Sequence, residues 1–181
     1  VTEELEVLRI VTERLEADGI PYMLTGSMAG NYYAVPRMTR DIDLVVELSA
    51  GDAERVYAMF EPDFYVDRGA VRDAVTEQGT FNLIHTDLVV KVDFLVRKDG
   101  EYRREEFRRR RPVTVEGLRL FVVAPEDLVI SKLEWARHTR SEVQLADVRN
   151  LLASVELDRV YLTRWISRLG LDALYREVSG E

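Results

Sequence analysis

Aspartate is depleted in β-strands, yet three aspartates fall inside two strongly apolar runs of this chain, Asp41-Ile42-Asp43-Leu44-Val45-Val46 and Lys91-Val92-Asp93-Phe94-Leu95-Val96. Period-two alternation puts Asp41, Asp43 and Val45 on one face of the first strand and Ile42, Leu44 and Val46 on the other. In the second, Val92, Phe94 and Val96 share a face and Asp93 lies opposite. An uncompensated buried carboxylate costs several kcal/mol, so such acids either face water at a sheet edge or hold something positive. Two acids at i and i+2 repel, but together they can chelate a hard cation through oxygen. Mg²⁺ suits them because it keeps waters and takes substrate phosphates as its other ligands. A third acid on a neighbouring strand can complete a two-metal site, with ions ~3.5–4 Å apart, or accept the proton of an attacking hydroxyl.

Gly26-Ser27 sits where the apolar run Pro21-Tyr22-Met23-Leu24-Thr25 gives way to a small-residue helix, Met28 to Ala34. Glycine lets backbone approach a ligand closely, free N–H groups at a helix start bind anions, and the serine adds a hydroxyl. Gly-Ser is also an ordinary turn. Thirteen residues separate Ser27 from Asp41, so the pattern is apolar strand, Gly-Ser, helix, then Asp-apolar-Asp on a second strand.

That composite resembles the nucleotidyltransferase superfamily typified by DNA polymerase beta, over roughly residues 20–96. The resemblance implies an α/β (α+β) core with a short mixed sheet flanked by helices. It implies that Asp41 and Asp43 bind Mg²⁺ (or Mn²⁺), that Gly26 and Ser27 hold the triphosphate of an NTP, and that Asp93 completes the metal site and helps activate the acceptor. Arg37-Met38-Thr39-Arg40-Asp41-Ile42-Asp43 is similar to the Arg-x-Thr-x-Asp-x-Asp run of AbiEii/MenT-type nucleotidyltransferases, many of them toxins of toxin–antitoxin systems. By that likeness Arg37 or Arg40 neutralises phosphate charge; alternatively both merely offset Asp41 and Asp43. The same family carries a later Lys…Asp pair, matched here by Lys132 and Asp147. Lys132 would contact triphosphate, and Asp147 would orient Lys132 or assist proton transfer; the alternative is a bridge pinning two helices. A tRNA acceptor and a cognate antitoxin protein are expectations from the family alone. A small-molecule acceptor, as in aminoglycoside-modifying enzymes, and a catalytically silent binding module remain open.

The elements that must position these residues follow from periodicity. Val1, Leu5, Leu8, Val11 and Leu15 make a helical stripe closed by Gly19 and Pro21. Asp52 to Phe60 reads as a helix with Asp52 as its cap, and residues 64–66 and 80–85 read as strands around a helix at 71–77. Residues 88–96 form the strongest strand, and Val113–Val115 and Leu118–Val123 form a hairpin turned at Glu116-Gly117. From Pro125 onward the chain reads as helix, with later helices at 145–155 and 160–169 and Gly170 as a stop. In Pro125–Arg137, Lys132 falls in the middle of the stripe Leu128, Val129, Leu133 and Ala136, so its ammonium must snorkel or enter a polar cavity. The seam lies at Ala124-Pro125, giving a core of residues 1–124 and a helical cap of residues 125–181.

Composition narrows the chemistry further. The 181 residues, 46% hydrophobic and 32% charged, suit one globular unit. The absence of cysteine removes thiolate metal sites and a cysteine nucleophile, and His85 and His138 are too few for a histidine metal centre. No apolar run approaches a membrane span and no secretory leader is evident, so a cytoplasmic protein is expected. The formal net charge of −8 argues against a general nucleic-acid coat, although residues 97–111 hold eight basic and four acidic side chains. Arg108–Arg111 either steer RNA or sit on a solvated helix paired with Glu101, Glu105 and Glu106. Tyr32 and Tyr33 either stack on a base or pack, and Trp135 and Trp165 are expected to pack in the cap.

Overall fold

The structure, a computed structural model, describes residues 2–180. Helix α1 (Glu3–Ala17) is capped by Thr2, whose hydroxyl accepts from the Leu5 amide, and Glu3, Glu4 and Glu6 occupy its first turn. Leu5, Leu8, Val11 and Leu15 are buried as the stripe requires, while Val1 lies outside the described residues. The chain continues through β1 (Tyr22–Thr25), α2 (Gly26–Tyr33), β2 (Asp41–Val46), α3 (Ala53–Phe60), β3 (Phe64–Tyr65), α4 (Arg68–Glu77), β4 (Thr80–His85) and β5 (Lys91–Val96). It then forms α5 (Glu101–Arg108), β6 (Arg111–Val115), β7 (Leu118–Val122), α6 (Pro125–Thr139), α7 (Glu142–Ser154), α8 (Arg159–Arg168) and α9 (Asp172–Ser179). Among the described residues no helix is long and apolar enough to cross a membrane.

The seven strands form one mixed sheet in the order β3-β4-β5-β2-β1-β7-β6. The pairs β2/β5 and β1/β7 are parallel and the others antiparallel. Alternation sorts β2, β4 and β5 into two faces. Ile42, Leu44, Val46, Phe81, Leu83, Val92, Phe94 and Val96 are all buried, with Phe60 of α3 packed edge-on against Phe94 at 5.7 Å. The opposite face carries Asp41, Asn82 and the partly buried Asp43, Lys91 and Asp93, and it stays open. All four residues of β1 are buried, as befits a central strand covered on both sides. The chemistry-bearing face is therefore the uncovered half of a sheet whose other half lies under helices.

Local departures from the sequence reading have physical causes. Helix α2 starts at Gly26, two residues before Met28. Asp52 stands at the N-cap position of α3, as expected, but its side chain makes no capping hydrogen bond there. Its carboxylate accepts from the Ser49 N–H at 2.7 Å and the Ser49 hydroxyl at 2.8 Å, closing a short 3₁₀ turn, Ala50–Asp52, ahead of the helix. Strand β5 begins at Lys91 because Val89, at φ +53°, turns the chain instead of extending it. Helix α9 follows the Gly170 stop, and Trp135 is 61% exposed, against the expected packing, whereas Trp165 is buried.

The arginine-rich segment is solvated only in part: Arg104, Arg108 and Arg111 are exposed, and its other arginines are partly buried. Tyr102, Glu106 and Phe107 of α5 are buried. Arg109 donates to Asp127 and Glu126 of α6, both at 2.9 Å, and stacks on Tyr161 at 3.6 Å. The Tyr102 and Tyr161 hydroxyls donate to the other Asp127 oxygen, so α5, α6 and α8 meet around one buried carboxylate with every oxygen partnered. Arg108 pairs with Glu105, Arg103 with Glu106, and Arg110 lies over Phe107 at 4.4 Å.

At the other end of the core, Arg14 of α1 donates to Asp63 at 2.7 Å and to the Met59 carbonyl at 3.1 Å, beside the rings of Phe60 and Phe64. That hydrogen bond holds the Asp63 carboxyl below its ordinary 3.8. Asp63→Asn is expected to cost about 1 kcal/mol near neutral pH. Since the folded-state pKa is depressed, this contribution is full above the unfolded value and fades as pH falls through the folded one. Urea unfolding of wild type and variant should therefore show a gap that narrows from about pH 5 to about pH 3; a constant gap contradicts the assignment.

Candidate active site

The parallel register of β2 and β5 sets Asp43 directly beside Asp93, and Asp41 beside Lys91. The Lys91 ammonium lies 2.8 Å from Asp93 Oδ2 and 3.7 Å from Asp41 Oδ2, bridging the two acids on the open face. Asp43 is partly buried beside the charges of the two other acids. Burial, then the charges of Asp93 and Asp41, push its carboxyl up to about 6, against the opposing pull of Lys91 and Lys132. The Lys91 ammonium is also raised from its ordinary value, the hydrogen bond to Asp93 favouring its charged form.

Strand β1 runs antiparallel to β2 with Thr25 opposite Asp43, which delivers the next residue, Gly26, onto the Asp43 carboxylate. Gly26 has φ +66°, and a Cβ at this position would lie 2.0 Å from Asp43 Oδ2. Only glycine serves here, both for its backbone angle and for the space it leaves. Ser27 follows in the first turn of α2, directly after the glycine that meets Asp43, and that turn leaves free N–H groups.

A second charge cluster flanks the first. Arg37 grips Asp147 of α7 with two hydrogen bonds, both 3.0 Å, and donates to the Ser27 hydroxyl at 2.6 Å. Lys132 of α6, 3% exposed, donates to the same Asp147 at 2.7 Å and to Gln144 at 3.1 Å. Burial disfavours ionised Asp147, but the hydrogen bonds from Arg37 and Lys132 outweigh it and hold the carboxyl below the ordinary range. Asn31 of α2 and Asn150 of α7 fix the intervening loop through the backbone of Arg37 and Val35. The stripe lysine thus enters a polar pocket, as its position in α6 requires.

The structure brings together Gly26, Ser27, Arg37, Lys132 and Asp147, with Asp41, Asp43 and Asp93 alongside. It does not bring in Arg40, which is exposed and has no hydrogen bond or ion pair among the described residues. Two participants were missed from the sequence. Lys91 shares a strand face with Asp93 two residues on, a signal that alternation already carried. Gln144 lies one helical turn before Asp147, and nothing in the sequence distinguished it. Among the described residues no three His, Cys, Asp or Glu side chains converge tightly enough to cage a metal unaided. The donor set nonetheless fits Mg²⁺ or Mn²⁺: it is hard oxygen on an open face, and it already draws an ammonium.

No family model matches the chain, and no curated protein matches it. Solved structures do. The antibiotic-resistance factor ANT(2'')-Ia, in solution, superposes with a TM-score of 0.60 at 14% identity, over 97% of this chain and 96% of its own. The lincosamide antibiotic adenylyltransferase LnuA, bound to lincomycin, gives 0.56 at 13% identity, over 83% of this chain and 96% of its own. An antigenic nucleotidyltransferase-like protein from Paracoccidioides brasiliensis gives 0.55 at 18% identity, over 83% and 75%. The chain has the nucleotidyltransferase fold.

Two stability measurements test this geometry. Gly19→Ala, at the same φ of +66° but in open space, is expected to cost about 1 kcal/mol, and Gly26→Ala at least about twice that because Asp43 must move. Equal costs contradict the close approach. Asp147→Asn is expected to cost about 2–3 kcal/mol by stranding the buried Lys132 ammonium, and Lys132→Met in the same background should recover most of it. Additive losses contradict the pairing.

Proposed function

We propose that this chain is a metal-dependent nucleotidyltransferase, moving a nucleoside monophosphate from an NTP to a hydroxyl of a small acceptor. The observation that carries the reading is Asp43: in register with Asp93 on the open face, and pressed by its carboxylate against the glycine that opens α2. In this reading Gly26 and Ser27 cradle the triphosphate with backbone N–H groups and a hydroxyl. Arg37 and Lys132 neutralise phosphate charge, and Asp147 positions both cations. Asp41, Asp43 and Asp93 hold the divalent ion, Mg²⁺ or Mn²⁺, which when bound stabilises charge on the phosphates during in-line transfer. The acceptor oxygen bonds to the α-phosphorus as the bond to pyrophosphate breaks, and Asp93 takes the acceptor's proton. An NTP-consuming reaction of this kind belongs in the cytoplasm.

The small acceptor is favoured by the fate of the arginine run. Arg108, Arg109 and Arg111 each face a carboxylate and Arg110 lies on Phe107 and Phe121, so these four offer an RNA backbone no continuous track of unpaired charge. The adenylyltransferase named for lincosamide antibiotics and the antibiotic-resistance factor, both of this fold, are consistent with it. The second reading, transfer to tRNA by an AbiEii/MenT-type toxin with an antitoxin partner, is favoured by Arg40, exposed and unpaired next to Asp41.

Incubation with each α-labelled NTP and Mg²⁺, offering lincomycin, tobramycin or total tRNA, tests both. Label is expected on a small acceptor and not on tRNA, falling about 10³-fold in Asp43→Ala, which corresponds to about 4 kcal/mol of transition-state stabilisation. Label on tRNA alone selects the second reading. Transfer to no acceptor, with pyrophosphate never released, overturns nucleotidyl transfer.

A further inference from the structure

We infer that Lys91 is a built-in counter-cation that keeps the place of the divalent ion and has to leave Asp41 and Asp93 for that ion to bind; this rests on the reading of the three aspartates as metal ligands. Lys91 pairs with Asp41 across β2/β5 and precedes Asp93 by two residues on the same face, so its stem runs along the acids and not away from them. Its ammonium is within hydrogen-bond distance of Asp93 and within ion-pair distance of Asp41. Of the neighbouring cations, Arg37 and Lys132 bind Asp147, and Arg40 makes no ion pair among the described residues. Lys91 is the one whose ammonium contacts the carboxylates directly.

Placement and mobility suit a placeholder. The Lys91 side chain is 39% exposed, whereas that of Lys132 is 4% exposed. Lysine carries a compact charge on a flexible four-carbon stem, so Lys91 can swing into solvent without disturbing the strand. A divalent ion between Asp41 and Asp93 would meet that ammonium at close range, and two cations there repel. Without the ammonium, three like-charged acids would share one face with no counter-charge of their own. The consequence is weak metal binding by the free protein. Arriving phosphates supply further ligands to the ion and a new partner for the displaced ammonium, which couples metal occupancy to nucleotide.

The test is Mn²⁺ binding without nucleotide, read from the free-ion electron paramagnetic resonance signal, for wild type, Lys91→Met and Lys91→Gln. Both neutral variants are expected to bind Mn²⁺ about tenfold tighter, to melt lower than wild type without metal, and to gain more in Tm when Mn²⁺ is added. Affinity unchanged or weakened in a folded variant overturns the inference while leaving the aspartates as ligands. If no form binds Mn²⁺, even with an NTP present, the metal reading of the aspartates fails and the role of Lys91 falls with it. Either variant alone decides the matter, so the failure of one to fold leaves the other as the test.

Discussion

A partly buried carboxylate set beside another on a parallel strand is costly to ionise, and burial together with the neighbouring Asp93 imposes that cost on Asp43 in the middle of this sheet. The surroundings are arranged to meet it. Lys91 supplies an ammonium from the same strand as Asp93, Lys132 adds a more distant one from α6, and β1 is followed by a glycine so that Asp43 keeps its place. The open face of β2, β4 and β5 lets a solvated ion or phosphate reach these oxygens. The buried opposite face, built on Phe60, Phe81 and Phe94, holds the strands in the register that places them.

Helices α6 and α7, with Arg37, answer the acids with an arrangement of the opposite sense. Around Asp147 two cations share one anion, and around Asp41 and Asp93 two anions share one cation. The Asp147 cluster reaches the short turn from Gly26 to Ser27 through Arg37, and Asp43, in register with Asp93, lies against Gly26. The free protein thus balances its own charges in a site where a metal–nucleotide complex would bring the same pair of signs. Exchange of internal partners for external ones costs less than exposing unpaired charges, which suits a site that binds and releases ligands repeatedly.

Much of this was legible in the sequence, for identifiable reasons. Alternation placed Asp41, Asp43 and Asp93 on the faces where they occur, because one buried face leaves a strand no other register. Helical projection put Lys132 inside an apolar stripe, and a buried ammonium demands a partner, which Asp147 provides. The parallel pairing of β2 with β5 was not legible, since it depends on a crossover through α3, β3, α4 and β4, and with it went the bridging role of Lys91. Arg109 looked like part of a solvated run because its partners, Glu126 and Asp127, lie on a helix seventeen and eighteen residues away. Asp52 was legible as the N-cap of α3 by position, but not the turn of its carboxylate back to Ser49, three residues upstream.

The most direct test of the whole account is an anomalous-scattering crystal structure of the protein grown with Mn²⁺ and a non-hydrolysable NTP analogue. A manganese peak bound by oxygens of Asp43 and its aspartate neighbours, with phosphates against the Gly26-Ser27 turn and the Lys91 ammonium moved off Asp93, is the result expected. A nucleotide bound elsewhere, or manganese with no aspartate ligand while Lys91 keeps its bridge, would contradict it.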